Sequence, residues 1–300
     1  MKNKKIIITG STGFIGSRLT EYLNEQGCEL HLLLRDVNKG KNLFPFAEVY
    51  DAACDVSELK TICNAIKPDG VIHLATHFSA SHKTEEFEDM LEANIILGAK
   101  LLEAVSPVAK WFLNIGTYWQ HYEGQRYSPV NFYAATKQAF EDLLVFFADH
   151  FKINVGTLCL NDTYGPGDTR RKIFNLWRDM CLNPDQTLEM SPGEQIMDML
   201  HIKDVVSAIE HCAILLENDT DGVLNKQIFY VTAAEKPTLK ELSRIFEKIS
   251  GSHLNIIWGA KPYRHREVMN PLCYGKKLPG WEAEIKYEEG ISDFLNSMEF

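Results

Sequence analysis

The sequence predicts an α/β protein: a doubly wound parallel sheet with helices on both faces and a smaller, mostly C-terminal lobe. Three observations predict it. Short apolar runs alternate with longer amphipathic stretches through the first half of the chain. The first run, Ile6-Ile7-Ile8, leads straight into Thr9-Gly10-Ser11-Thr12-Gly13-Phe14-Ile15-Gly16. After Tyr164-Gly165-Pro166-Gly167-Asp168 the alternation breaks, and the tail is rich in Pro, Gly and aromatic residues.

The elements follow in order. Ile6 to Ile8 is a strand, and Leu19, Tyr22 and Leu23 mark a helix stopped by Gly27. Leu30 to Leu34 and Ala47 to Tyr50 read as the next strands. Ser57 to Lys67 is a helix that ends before Pro68, and Val71-Ile72-His73-Leu74 is a buried strand. A long helix spans Glu85 to Val105, with a strand from Trp111 to Ile115. A helix from Asn131 to His150 precedes a strand from Ile153 to Leu160. The second half gives a helix from Ile173 to Leu182, a strand from Met197 to Ile202 and a helix from Asp204 to Leu216. A strand from Ile228 to Val231 and a helix from Pro237 to Ser250 complete it. Residues 1–168 form the first domain, with 197–232 returning to it, and 169–196 with 233–300 form the lobe.

Composition bounds the function. Three hundred residues with 45% hydrophobic content suit a globular enzyme, and a net charge of -10 excludes a nucleic-acid surface built on a basic stripe. The seven Cys form no CxxC pair and read as reduced thiols of a cytoplasmic protein. The start of the chain is too short in apolar residues for a signal peptide, and no run is long enough to span a bilayer. No metal site is expected.

Gly10, Gly13 and Gly16 have the spacing of a dinucleotide loop between a strand and a helix whose N-terminus faces an anion. Thr12, Phe14 and Ile15 complete the candidate cofactor loop. The second strand ends Leu34-Arg35-Asp36. Arg35 suits a ribose 2′-phosphate and so NADP; Asp36 leaves NAD open if it is the residue facing the ribose. Farther on, Tyr133 and Lys137 stand one helical turn apart. An ammonium beside a phenol is expected to lower its pKa from about 10 and make it a usable proton donor and acceptor. Loop and pair together propose hydride chemistry on an alcohol or ketone.

These residues, with Asp55-Val56, His73-Leu74-Ala75, Asn94 and Tyr164-Gly165-Pro166-Gly167-Asp168, resemble the extended short-chain dehydrogenase/reductases. That family comprises the NAD(P)-dependent epimerases, dehydratases and reductases of nucleotide sugars, built on a Rossmann sheet with a substrate-binding lobe. The resemblance implies that Asp55 and Val56 meet the adenine, that His73 to Ala75, Leu74 included, line the ribose side, and that Thr76 also belongs to the cofactor site. It implies a catalytic set of Thr117, Tyr133 and Lys137, with Lys137 also binding the nicotinamide ribose. His73 and His201 are expected to be satisfied core histidines, and Asn94 a structural hydrogen-bonder inside its helix.

The departures narrow the chemistry. Family dehydratases carry Asp-Glu after the catalytic Thr, where this chain has Tyr118-Trp119. The epimerase–reductases of the fucose pathway use a Cys near this strand end, where this chain reads Asn114-Ile115-Gly116-Thr117. Reduction of a 4-keto sugar or 4-epimerisation remains, and Arg35 tips the balance toward NADP and reduction. Several stretches, among them His82-Lys83-Thr84, resemble the CDP-abequose synthase group, which reduces a CDP-4-keto-deoxyhexose. The substrate is therefore expected to be a nucleotide-diphosphate sugar.

The family's usual phosphate-binding Arg is replaced by Met197, and another by Cys159. Arg170, Arg171 and Lys172, or Arg264, are the cations left for the diphosphate, with Lys83 also on the substrate side. The alternatives are an NAD-dependent 4-epimerase, a non-catalytic cofactor-binding protein and a reductase of a small carbonyl. The family's common homodimer would pair the helices Glu85–Val105 and Asn131–His150. Phe140, Leu143, Leu144, Phe146 and Phe147 serve that interface or the core.

Overall fold

A computed structural model describes residues 1–297. The first half runs β1 (Lys5–Thr9), α1 (Phe14–Glu25), β2 (Glu29–Leu34), α2 (Val37–Leu43), β3 (Glu48–Asp51), α3 (Val56–Ile66) and β4 (Gly70–His73). It continues with α4 (Phe87–Leu91), a π turn at Glu92–Ile96, α5 (Leu97–Val105), β5 (Trp111–Thr117), α6 (Phe132–Phe151) and β6 (Asn154–Leu160). The rest comprises β7 (Asp162–Tyr164), α7 (Ile173–Leu182), β8 (Leu188–Met190), β9 (Met199–His201), α8 (Ile202–Asn218) and β10 (Gln227–Tyr230). Then come α9 (Leu239–Ser250), β11 (Ile256–Trp258), β12 (Lys276–Lys277) and α10 (Tyr287–Asn296).

Eight strands form one sheet in the order β3-β2-β1-β4-β5-β6-β10-β12, every neighbour parallel. The order reverses between β1 and β4, so the crevice of a doubly wound sheet opens at their C-terminal ends. Side chains alternate across the sheet: Ile6 and Ile8 join the core under α1 and α8, and Ile7 joins the core under α3, α5 and α6. β5 is buried along its whole length because it lies in the middle of the sheet with helices on both faces. A third core gathers Phe174, Trp177, Leu242, Phe246, Ile291 and Phe294 from α7, α9 and α10. Each of those aromatic rings contributes on the order of 2 kcal/mol of burial.

Three differences from the expected elements have physical reasons. The span expected as one helix from Glu85 is interrupted by the π turn, where Asn94 turns its side chain away to partners outside the helix. The strand expected over Met197–Ile202 shrinks to Met199–His201 and pairs with β7, outside the main sheet. Met197 N–H bonds the Pro237 carbonyl instead, and Ile196 bridges to Thr238. The edge strand β12 pairs with Phe229 and Tyr230 through Lys276 and Lys277, which carry no apolar alternation to announce it. Within α6, Phe140, Leu144 and Phe147 belong to the sheet-side core, whereas Phe146 is 59% exposed.

All seven cysteines are free. No helix among the described residues is long and apolar enough to cross a membrane.

Candidate active site

The glycine loop follows β1 at the switch point. Gly10 has φ +74, and a Cβ there would lie 2.7 Å from the Ala75 nitrogen. A Cβ on Gly16 would lie 2.1 Å from the Gly10 carbonyl oxygen. Loop, helix and the end of β4 therefore pack backbone against backbone, which only glycine permits. Gly13 is the N-cap of α1 and offers no side-chain acceptor, so the first amides of the helix are not capped by its own residue. Ser11 Oγ is buried with no protein partner. Uncapped amides, a positive helix end and an orphaned hydroxyl are the donor set a pyrophosphate needs. Thr12 is exposed, and Phe14 and Ile15 are half-buried beside it.

The ends of the neighbouring strands are also in place. Leu74, Ala75 and Thr76 follow β4 next to the loop, and Thr9 Oγ1 accepts the Ala75 N–H at 3.1 Å. At the end of β2, Asp36 accepts the Lys39 N–H at 2.9 Å and caps α2. Arg35 is exposed and enters no ion pair among the described residues. Asp55 likewise caps α3 through the Glu58 N–H at 2.9 Å, and Val56 opens that helix. His73 is fully buried, bonded through Nδ1 to Thr9 Oγ1 at 2.9 Å, and burial pulls its pKa down to about 3. His201 is pulled down to about 4 by the same cause. Both are neutral core histidines, although Nε2 of each lacks a hydrogen-bond partner.

Thr117 ends β5 and caps the next turn, its hydroxyl accepting the Trp119 N–H at 3.3 Å. Tyr133 and Lys137 lie in the first turns of α6, which starts where Asn131 accepts the Ala134 N–H at 3.0 Å. Asn131 also donates to the Ser79 and Ala80 carbonyls and ties the preceding loop to the helix. Asn94, on the π turn, joins Thr76 Oγ1, both backbone groups of His77, and Thr136 Oγ1. It is structural as expected, but its partners lie outside its own helix.

The expected phenolate is not what this environment produces. Burial pushes the Tyr133 phenol up to about 12, against a hydrogen bond with Thr76 that lowers it. Burial also pulls Lys137 down to about 8, with Cys159 and Glu141 working the other way. The spacing placed both groups on one helix but could not weigh desolvation, the largest influence on each. Burial thus favours the neutral form of both groups.

On the other side of the cleft the charges satisfy one another. Asp162 accepts from Lys172 Nζ at 3.0 Å and from the Tyr118 hydroxyl at 3.3 Å. Burial would raise its carboxyl, but Lys172, Arg170 and Tyr118 together hold it below the usual range. Arg170 grips Asp168 with two hydrogen bonds, at 2.7 and 2.8 Å, and stacks 4.3 Å over Phe14. It is committed to the fold and is the weakest of the expected diphosphate cations. Lys172 sits 4.6 Å over Phe78, whose ring meets Tyr133 edge-on at 5.0 Å. Arg264 pairs with Glu267 at 3.0 Å and lies 5.6 Å over Trp119. Arg171 and Lys83 are exposed, and neither forms an ion pair among the described residues.

The sequence reading did not single out Asp162 or Phe78. Asp162 had a signal, an acid just past a buried strand. Phe78 lies in a stretch without regular structure and had none. A cavity of about 420 Å³ lies elsewhere, behind α6, lined by His121, Tyr127, Gln138, Glu141, Thr157 and Ile228.

Residues 6–225 match the model of the NAD dependent epimerase/dehydratase family. The chain is 29% identical to a CDP-abequose synthase of Salmonella typhimurium, covering 98% of each. It is 26% identical to a CDP-abequose synthase of Yersinia pseudotuberculosis, covering 96% of this chain and 98% of the relative. In structure it is similar to a UDP-glucose 4-epimerase of Thermotoga maritima, with TM-score 0.80, 22% identity and 98% of each chain covered.

Proposed function

This chain belongs to the NAD dependent epimerase/dehydratase family, and from that premise we propose that it reduces a nucleotide-linked 4-keto-6-deoxyhexose with NADPH, in deoxysugar biosynthesis. The observation that carries the reading is placement: Tyr133 and Lys137 are buried one turn apart on α6, Thr117 ends β5, and the glycine loop follows β1 at the switch point of the same sheet. A phenol in that position can donate a proton to a ketone oxygen, which is what a reduction needs. The near full-length similarity to CDP-abequose synthases supports the substrate class. Tyr118 and Trp119 support it too, since a hydroxyl tied to Asp162 and an indole under Arg264 stand where a dehydratase has its acid pair.

The residues would act as follows. The glycine loop, Leu74 to Thr76, Asp55 and Val56 would hold the dinucleotide, with Arg35 on the 2′-phosphate. When bound, the nicotinamide supplies a hydride to the carbonyl carbon. Thr117 and Tyr133 hold the ketone oxygen and stabilise its growing charge. Tyr133 gives up its proton, and Lys137, protonated below about 8, favours the phenolate left behind. Lys172 and Arg264 would exchange Asp162 and Glu267 for the substrate diphosphate, with exposed Arg171 and Lys83 beside them. Residues 1–168 with 197–232 would carry the cofactor, and 169–196 with 233–300 the sugar nucleotide. We take the protein as a cytoplasmic homodimer joined through α6 and the span from α4 through the π turn to α5, where Phe146, Phe87 and Ile96 are exposed.

The test is consumption of NADPH against NADH with CDP-, dTDP-, UDP- and GDP-4-keto-6-deoxyhexoses. NADPH-dependent turnover of one of them is expected; none with any would overturn the reading. A second reading, an NAD-dependent 4-epimerase, rests on Asp36 standing beside Arg35 at the end of β2. It predicts a protein that purifies with tightly held NAD and interconverts 4-epimers without net cofactor consumption.

A further inference from the structure

Behind the catalytic helix lies a buried polar network that the reaction above does not use. Glu141 is one helical turn beyond Lys137 on α6 and is 8% exposed. Its Oε2 accepts from Gln120 Nε2 at 3.3 Å, and its Oε1 from Gln138 Nε2 at 3.4 Å. Gln120 is fully buried, and its Oε1 accepts the Thr117 N–H at 2.9 Å. Thr117 needs this partner. β4 pairs with β5 only as far as Asn114, so the end of β5 has lost its neighbour on that side. Gly116 makes room for the arrangement, because a Cβ there would lie 2.9 Å from Gln120 Oε1.

The polarity of these bonds is fixed. Gln120 must present its oxygen to the Thr117 amide, so its nitrogen faces α6 and requires an acceptor there. Glu141, accepting on both oxygens, supplies it together with Gln138, whose Oε1 accepts from Gln120 Nε2 at 3.3 Å and whose amide in turn donates to Glu141. Burial pushes the Glu141 carboxyl up, and the hydrogen bonds from Gln120, Gln138 and Thr157 hold it down. An apolar residue at 141 would remove one of the two acceptors of the Gln120 amide and leave it Gln138 Oε1 alone.

We propose that Glu141 and Gln120 are positioning residues that couple the end of β5 to α6, so that the Thr117 hydroxyl and the Tyr133–Lys137 pair are set in one frame. A ketone oxygen held between Thr117 and Tyr133 depends on that frame, because small misplacement of a donor costs much of its effect. The catalytic part of this inference rests on the proposed reductase reading; the structural coupling does not.

A charge swap tests it. Gln120→Glu sets two carboxylates face to face and should free the Thr117 amide. Adding Glu141→Gln rebuilds the same bonds with donor and acceptor exchanged. Hydrogen exchange of the peptide containing Thr117 should quicken at least tenfold in Gln120→Glu and return to within about threefold of the parent in the double variant. With NADPH and CDP-4-keto-6-deoxyglucose, kcat should fall at least tenfold and recover in parallel, while the cofactor Kd stays fixed. In a Thr117→Val background the Gln120→Glu change should have no further effect on kcat. Should Gln120→Glu not fold, Gln120→Leu serves for the exchange and kcat measurements. Unchanged exchange in the single variant, or no rescue in the double, overturns the coupling. Effects on kcat that add fully to Thr117→Val overturn the catalytic part. If the parent chain does not turn over, the substrate reading fails, and the exchange data alone decide the coupling.

Discussion

The two walls of the cleft are built from different materials. The glycine-loop wall is backbone: Gly10 and Gly16 pack main chain against main chain, and the anion site is a helix end. The opposite wall is side chain: Asp162, Lys172, Arg264, Glu267 and the rings of Phe78 and Trp119 hold one another. A backbone wall has one geometry and tolerates almost no added atom. A side-chain wall holds its charges in pairs that a ligand can exchange. The first suits a ligand common to many enzymes, the second one that differs among them.

Tyr133 stands where the walls meet, and its replacement tests whether both survive without chemistry. Tyr133→Phe should lower kcat about a thousandfold, about 4 kcal/mol, while cofactor and substrate dissociation constants change less than threefold. Loss of cofactor binding instead would place the ring in the backbone wall. Gly16→Ala should be the costliest change within that wall. Its methyl would overlap the Gly10 carbonyl, with a loss of roughly 3 kcal/mol read by denaturant unfolding and no measurable cofactor binding.

Lys137→Met should move stability the other way. The folded pKa, about 8, lies below the ordinary 10.5, so the unfolded chain binds more protons between those values. This group's contribution therefore grows as pH rises from about 8 to 10.5 and is least favourable below about 8. Removing the ammonium should relieve on the order of 3 kcal/mol at pH 7 and raise Tm by several degrees, with turnover lost. An unchanged Tm would mean that Lys137 is solvated. Arg264→Ala should have the smallest effect, raising the KM of the sugar nucleotide roughly tenfold, about 1.4 kcal/mol, without moving the cofactor Kd. A cofactor effect of equal size would erase the distinction between the walls.

That distinction also explains what could be read from the chain. The parallel sheet, its helices and the glycine loop were legible because backbone geometry leaves fixed spacings, as at Gly10, Gly13 and Gly16. Tyr133 and Lys137 were legible as a pair, but their protonation was not, because desolvation depends on what the rest of the chain stacks around them. Arg170 read as a free cation and is held by Asp168, since a two-residue ion pair has no spacing signature. Phe78 meets Trp119, and Lys172 links Phe78 to Asp162, only after three separate loops and strands are assembled.

The π turn at Glu92–Ile96 has a consequence for the site. One residue beyond the α-helical repeat puts the two halves of that helix about 100° out of phase. The first half sends Met90 to the cluster around Tyr133, and the second sends Leu101 and Leu102 into the sheet-side core. Deleting one residue of the turn would bring the halves back into phase and swing Met90 off Tyr133 while the core stayed filled. The wall behind Tyr133 is thus specified by residue count as well as by residue identity.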